Sequence, residues 1–242
     1  MLSCCLFAAS ASYKGDVAIF GDRHYSFVHV GEGREKVTGV GSYCNLQEAL
    51  IIVRLVGELH DNHIKGCVRN ELQTWDSPER VRIITFYNGQ VFLIQHLLKK
   101  ANLPGITVAT VDSSQGSEAD VVIVSFVRSK GVNERHSVGF LTDNRRLNVA
   151  LTRAKYQLIC VGNVYGSLHL EKMGAIKELV QNTIERGHVV QLNKNGKFEQ
   201  VARDCRGGAQ KCQTGKSRNG QGSVDKKRMM TSYESGRLTK RN

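Results

Sequence analysis

No run of about 18 apolar residues occurs in the 242-residue chain, so no segment is expected to span a membrane. Cys-x-x-Cys pairs are also missing. The seven cysteines, at 4, 5, 44, 67, 160, 205 and 212, lack zinc-ligand spacing, so no metal site is expected. Their odd number and scatter suit a reducing intracellular compartment. No Gly-x-x-x-x-Gly-Lys-Ser/Thr stretch, which cradles phosphates with backbone amides and a lysine, appears anywhere. Nor does an Asp-Glu pair follow an apolar strand, where it could hold Mg²⁺. The opening "MLSCCLFAASAS" resembles a secretory leader but has no basic n-region, and it is read as a ragged beginning.

Acidic residues are scarce in one place. The chain carries 34 Lys+Arg against 22 Asp+Glu, a net charge of +12. Residues 194–242 alone hold 13 of the basic residues and 4 of the acidic ones. That segment is rich in Gly, Ser and Gln and nearly lacks large aliphatics, so it is expected to be a basic disordered tail. Its charge suits loose attraction to nucleic acid or a solvated extension with no partner.

What is present before the tail is an alternation of strand and helix signals. Strand patterns lie at "YSFVHV" (25–30), "VRIITF" (81–86), "ITVATV" (106–111), "DVVIVSFV" (120–127), "YQLICVG" (156–162) and "HVVQL" (188–192). Helical patterns fall at 45–61, along "GQVFLIQHLLKKAN", at 144–154 and at about 169–186. Asn45 and Glu48 fit a capping box at the start of the first helix. The segment 120–127 is apolar on both faces, as a central parallel strand should be. This predicts an α/β fold, a mostly parallel sheet with helices on both faces, over residues 25–193. Residues 1–24 are read as an irregular remnant. Ligands on such sheets are expected beyond the carboxyl ends of the strands.

Two loops carry candidate chemistry. The first, "TVDSSQGSEAD", offers the hydroxyls of Thr110, Ser113 and Ser114, the amide of Gln115, a turn at Gly116 and the carboxylate of Glu118. Hydroxyls can bind phosphate oxygens without reading bases, and a carboxylate can accept from ribose hydroxyls. The second, "GFLTDNRRLNVALTRAK" (139–155), has Leu147, Ala150, Leu151 and Ala154 at helical spacing. Arg146 and Arg153 lie seven residues apart, hence on one side of that helix, where paired guanidiniums suit phosphate recognition. Taken separately, each loop also fits an ordinary polar turn or a solvated basic helix.

Together, "TVDSSQGSEADVVIVS" and "GFLTDNRRLNVALTRAKYQLICVGN" closely resemble motifs V and VI of superfamily 1 helicases. The match is with the Up-frameshift and senataxin branch and its NFX1-type zinc-finger-containing relatives. "IITFYNGQ" is similar to that branch's motif IV, with Phe86 where a proline is usual, and "SYCNLQEA" resembles the start of the first helix of the same lobe. The resemblance covers about residues 25–190. It implies the C-terminal RecA-like lobe of a P-loop NTPase that works with ATP and Mg²⁺ on single-stranded RNA or DNA. It also implies an N-terminal RecA-like lobe, in cis or in trans, that supplies the Mg²⁺ ligands.

By motif, Arg153 is implied as the arginine finger at the γ-phosphate and Glu118 as a contact to the ribose. Gln115, Gly116 and, less directly, Arg146 are implied at the nucleotide. Thr110, Ser113 and Ser114 are implied on the sugar-phosphate backbone. The chain is expected to begin after a first lobe has ended and to hydrolyse essentially no ATP by itself. Two other readings are an ATP-independent nucleic-acid-binding or regulatory module and the remnant of a truncated helicase gene. A dinucleotide fingerprint at "GVGS" (39–42) is set aside because it lacks the third glycine and the preceding strand.

Overall fold

The computed structural model describes residues 19–21, 23–66, 76–103, 105–129, 143–168 and 174–201. Its frame is a seven-stranded sheet of β1 (Tyr25–His29), β4 (Val81–Thr85), β5 (Thr107–Thr110), β6 (Ala119–Ser125), β7 (Ala154–Gly162), β8 (Val189–Leu192) and β9 (Phe198–Gln200). The strand order is β5-β4-β6-β7-β1-β8-β9. All neighbours pair in parallel except β8 and β9, which are antiparallel. A separate hairpin joins β2 (Glu35–Val37) to β3 (Tyr43–Asn45).

Side-chain alternation along the central strand divides the core. Val121 and Ile123 point to one face, where α1 (Leu46–Gly66) and α2 (Asn88–Lys100) supply Ile52, Leu55, Ile94 and Leu98. Val122 and Val124 point to the other, where α3 (Asn144–Leu151) and α5 (Gly174–Arg186) supply Leu147, Ala150, Ile176 and Leu179. The short α4 (Val164–Leu168) follows β7, and its Val164 joins this second cluster. Period-2 strands between amphipathic helices account for the three layers. The predicted α/β class, with helices on both faces of a mostly parallel sheet, is the observed one.

Three elements differ in detail from the sequence pattern. The helix expected at 144–154 ends at Leu151, because the Thr152 hydroxyl donates to the carbonyls of Asn148 and Val149 and the chain turns into β7. The strand β9 falls inside the stretch read as tail, where two lysines and two asparagines mask a three-residue strand that pairs with β8. The β2–β3 hairpin was not expected either, since strands of three residues carry no visible period.

At the start of α1, Asn45 Oδ1 accepts from the Glu48 amide at 3.3 Å, as a capping box requires. The reciprocal bond is replaced: the Asn45 amide donates to Gln90 Oε1 of α2 at 2.7 Å. Glu48 reaches across to the end of β6 instead, accepting from Ser125 Oγ at 2.7 Å and from the Val127 amide at 2.8 Å. These bonds hold Val127 in the left-handed region at φ +70°, a costly conformation for a β-branched residue.

Candidate nucleotide and nucleic-acid site

Strand register places the two halves of the first loop at opposite edges of the sheet. Thr110 pairs with Thr85, which pairs with Ser125, so Thr110 stands at the carboxyl ends of the strands. Ala119 pairs with Ala154 where β6 and β7 begin, so Glu118 and Arg153 stand at the amino ends. The loop 111–118 therefore runs down one face of the sheet over about 13 Å, the rise of the five-residue β4. Of the residues read as candidates for ligand contact, Thr110 and Ser113 stand at the carboxyl ends and Glu118 and Arg153 at the amino ends. The reason is that this loop returns to the amino edge without an intervening helix.

The upper part of the loop is knotted by its own hydroxyls. Ser113 Oγ accepts from the Thr110 amide at 3.0 Å and lies 2.9 Å from Thr110 Oγ1, closing a 3₁₀ turn over Asp112–Ser114. Ser114 is 0% exposed, and its hydroxyl donates to the Thr110 carbonyl at 2.8 Å. Of the three hydroxyls assigned to the sugar-phosphate backbone, Thr110 is partly exposed, Ser113 is exposed, and Ser114 is engaged inside the turn. Gln115 is exposed. Gly116 has φ +79°, which reverses the chain at little cost only because glycine has no Cβ. Ser117 Oγ donates to the Ser114 carbonyl at 2.8 Å, and Glu118 follows as an exposed carboxylate.

The helix α3 runs beside this loop in the same direction, from the carboxyl edge to the amino edge. Asp143 caps it, accepting from the amides of Arg145 at 2.9 Å and Arg146 at 3.4 Å. Near the top, Arg146 Nη2 lies 2.9 Å from Asp112 Oδ2, and its Nε lies 4.0 Å from Asp143 Oδ2. At the bottom, the Ala119 amide donates to the Arg153 carbonyl at 3.0 Å. One ion pair and one backbone bond thus tie the loop to the second motif. Since Arg146 is partly exposed and Asp112 exposed, the ion pair contributes only about 0.2–1 kcal/mol.

Arg153 departs from the sequence expectation in one respect. It lies past the end of α3, so it does not share a helical face with Arg146. Its Nε donates to the Val149 carbonyl at 3.0 Å and its Nη2 to Thr152 Oγ1 at 3.1 Å, folding the partly buried guanidinium onto the last turn of α3. Arg146 reaches the loop and Arg153 reaches the amino edge beside Glu118. Backbone pairing sets residues 118 and 153 at the same edge of the sheet, with the Arg153 guanidinium turned onto α3, and hydrogen bonds join Thr110 to Ser113.

Sequence reasoning missed the polar cluster beneath the carboxyl edge. Gln90 Nε2 donates to Ser125 Oγ at 3.0 Å and to the Asn45 carbonyl at 3.2 Å, joining α2, β6 and α1. Arg128 Nε lies 3.0 Å from Glu35 Oε1, and the guanidinium stacks 4.2 Å over the Tyr43 ring. Glu35 also accepts from the Ser129 amide at 2.5 Å. A glutamine inside the apolar stripe of α2 was the available signal. Among the described residues, no group of three or more His, Cys, Asp or Glu is assembled to hold a metal ion. No described helix is long and apolar enough to cross a membrane.

A family model described as an AAA domain (AAA_12) matches residues 9–165, more than half of the chain. The chain belongs to this AAA domain family. Proteins of similar sequence include a regulator of nonsense transcripts 1 homolog from Drosophila melanogaster, 40% identical over 144 residues, or 57% of this chain and 11% of that protein. The ATP-dependent helicase NAM7 of Saccharomyces cerevisiae is 38% identical over 138 residues, covering 54% of this chain and 13% of its own length. From the same yeast, the DNA polymerase alpha-associated DNA helicase A is 38% identical over 135 residues, 55% of this chain and 17% of that protein. The chain thus spans about a tenth to a sixth of these relatives. The AAA domain match and these relatives support the superfamily 1 helicase kinship expected from motifs V and VI.

Proposed function

We propose that this chain provides the C-terminal RecA-like lobe of an ATP-dependent RNA or DNA helicase of the Up-frameshift, senataxin and NFX1-type branch. A phosphate-cradling lobe would supply the other half of the nucleotide site. The observation that carries the reading is the pairing of Ala119 with Ala154, which sets Glu118 and Arg153 side by side at one edge of the sheet. The end of β5 and the start of the loop 111–118 present Thr110 and Ser113 at the opposite edge. A nucleotide contact and a single-strand contact are thereby joined by one short, hydrogen-bonded segment.

In this reading the exposed Glu118 carboxylate accepts from the ribose hydroxyls, while Gln115 and Gly116 shape the path between the edges. Arg146 holds the loop through Asp112. Arg153 swings from its own helix end to the γ-phosphate, where an arginine stabilises the charge that spreads in the transition state. The residues present fit the ribose and γ-phosphate of ATP. Among the described residues no group of three or more His, Cys, Asp or Glu is assembled for a metal ion, and Mg²⁺ is assigned to the other lobe. Thr110 and Ser113 meet the sugar-phosphate backbone of a single strand, and Ser114 keeps their turn in shape. Residues 194–242 add nonspecific attraction.

Glu118→Ala tests the nucleotide edge in a polypeptide that also carries a phosphate-cradling lobe. Loss of a charged hydrogen bond is expected to weaken ATP binding roughly tenfold to a hundredfold, read by calorimetric titration. Unchanged affinity would remove Glu118 from the site. A second reading, an ATP-independent nucleic-acid-binding module, is favoured by the bonds Arg153 makes to Val149 and Thr152. Filter binding separates the two: the module requires tight, salt-sensitive capture of single strands that added nucleotide does not alter.

A further inference from the structure

The chain has two prolines, Pro78 and Pro104, and only Pro78 follows a residue with a hydroxyl. It stands in "DSPER" (76–80), where Ser77 precedes the proline and Arg80 lies three residues after the serine. A proline beside a reactive serine has no backbone N–H to satisfy. A kinase pocket with no acceptor there takes proline and leaves the amide of any other residue unpaired. A cation at the third position suits an acidic pocket beside it, and such charge patterns set which kinase acts. Proline also biases Ser77 towards extended backbone, the form in which a kinase reads its substrate.

This segment forms a turn just before β4. Asp76 and Ser77 are partly exposed, and Pro78 and Glu79 are exposed. The amides of Arg80 and Val81 donate to the Ser77 carbonyl at 2.9 and 3.2 Å, which closes the turn with proline in its second position. Two more bonds fasten the turn to the start of β6. The Asp120 amide donates to the Glu79 carbonyl at 2.9 Å, and the Val121 amide to the Arg80 carbonyl at 2.8 Å. An ion pair reinforces them, with Arg80 Nη1 3.4 Å from Asp120 Oδ2 and the two side chains only 20% and 14% exposed. The other charged residues of 76–80 are Asp76 and Glu79, so Arg80 is the cation nearest Ser77 in the sequence.

We propose that Ser77 is a phosphorylation site for a proline-directed serine kinase, and that its phosphate draws Arg80 from Asp120 and loosens the start of β6. Ser77 Oγ attacks the γ-phosphorus of ATP, and the bond from that phosphorus to the oxygen shared with the β-phosphate breaks. ADP leaves, and the hydroxyl proton passes to a carboxylate of the kinase. The phosphate brings a charge of about −1.5 to −2 next to Asp76 and Glu79, which repel it. Arg80, joined to Ser77 across the turn, offsets that charge at the expense of Asp120. A mostly buried carboxylate then loses its partner where β6 begins. Asp120 lies two residues after Glu118, so the modification acts on the amino edge of the sheet from outside the two loops described above. It does not draw on the helicase-lobe reading.

The test incubates the full folded chain with a purified proline-directed serine kinase and ATP, then maps phosphopeptides by mass spectrometry. A phosphate is expected on Ser77, and none at that position in Ser77→Ala or in Pro78→Ala, which keeps the hydroxyl. Thermal melting checks that both variants fold. In the phosphorylated chain, hydrogen exchange at the Asp120 and Val121 amides is expected to quicken by about fivefold, as loss of one ion pair allows. Phosphatase treatment should restore the slower rate. Phosphate found only on other hydroxyls, or on Ser77 only after the chain is unfolded, would overturn the inference. Equal modification of Pro78→Ala would overturn the proline-directed assignment. Unchanged exchange at 120–121 with Ser77 fully phosphorylated would overturn the loosening of β6.

Discussion

Glu48 has no exposed surface, and three donors converge on its carboxyl group: Asn45 Nδ2, Ser125 Oγ and the Val127 amide. Those donors favour the charged form, but burial opposes it more strongly and pushes the pKa up to about 8. The folded protein then holds a proton that the unfolded chain releases near pH 4.5. Stability is therefore fully present below the unfolded pKa and falls as pH rises, by about 1.4 kcal/mol per unit, until the folded pKa near 8 is passed. Glu48→Gln should abolish that slope between about pH 5 and 8 in urea titrations. A mutant that keeps the wild-type slope would show that Glu48 is not its source. Asn45 and Glu48 were visible in the sequence as a capping pair. Their partners Gln90 and Ser125 were not, because bonds between residues 45 and 77 positions apart leave no local period.

The loop 111–118 and α3 act as a pair of elements. Their residue types were legible from sequence, but each alone also fitted an ordinary turn or a solvated basic helix, and it was their joint resemblance to motifs V and VI that pointed to phosphate chemistry. Their placement was not, because parallel register decides which edge a residue reaches, and register depends on pairing between distant strands. Arg153 illustrates the gap: helical spacing put it beside Arg146, whereas Thr152 ends the helix one residue earlier. A Cβ added at Gly116 would meet no atom within 4 Å, so only the φ of +79° opposes substitution there. Gly116→Ala is accordingly expected to cost about 1–2 kcal/mol, measured by chemical denaturation. A cost near zero would mean that the loop readily takes another path.

For the molecule as a whole, the α/β class and the two-sided core follow from alternating patterns that the sequence displays openly, whereas the strand order β5-β4-β6-β7-β1-β8-β9 rests on pairing between distant segments. The two opposed edges follow from one loop that crosses a face without a helix, and that is what gives the chain its proposed role. Nucleotide chemistry is assigned to the amino edge and single-strand contact to the carboxyl edge. In that proposed reading, the bond between Ala119 and Arg153 and the ion pair between Asp112 and Arg146 are the ties through which the two edges would be coupled. The most direct test is ATP turnover by a polypeptide that joins this chain to a phosphate-cradling lobe, comparing wild type with Arg153→Ala. The account predicts a fall in the rate of hydrolysis of roughly 10³-fold or more with ATP affinity nearly unchanged; turnover at the wild-type rate would contradict it.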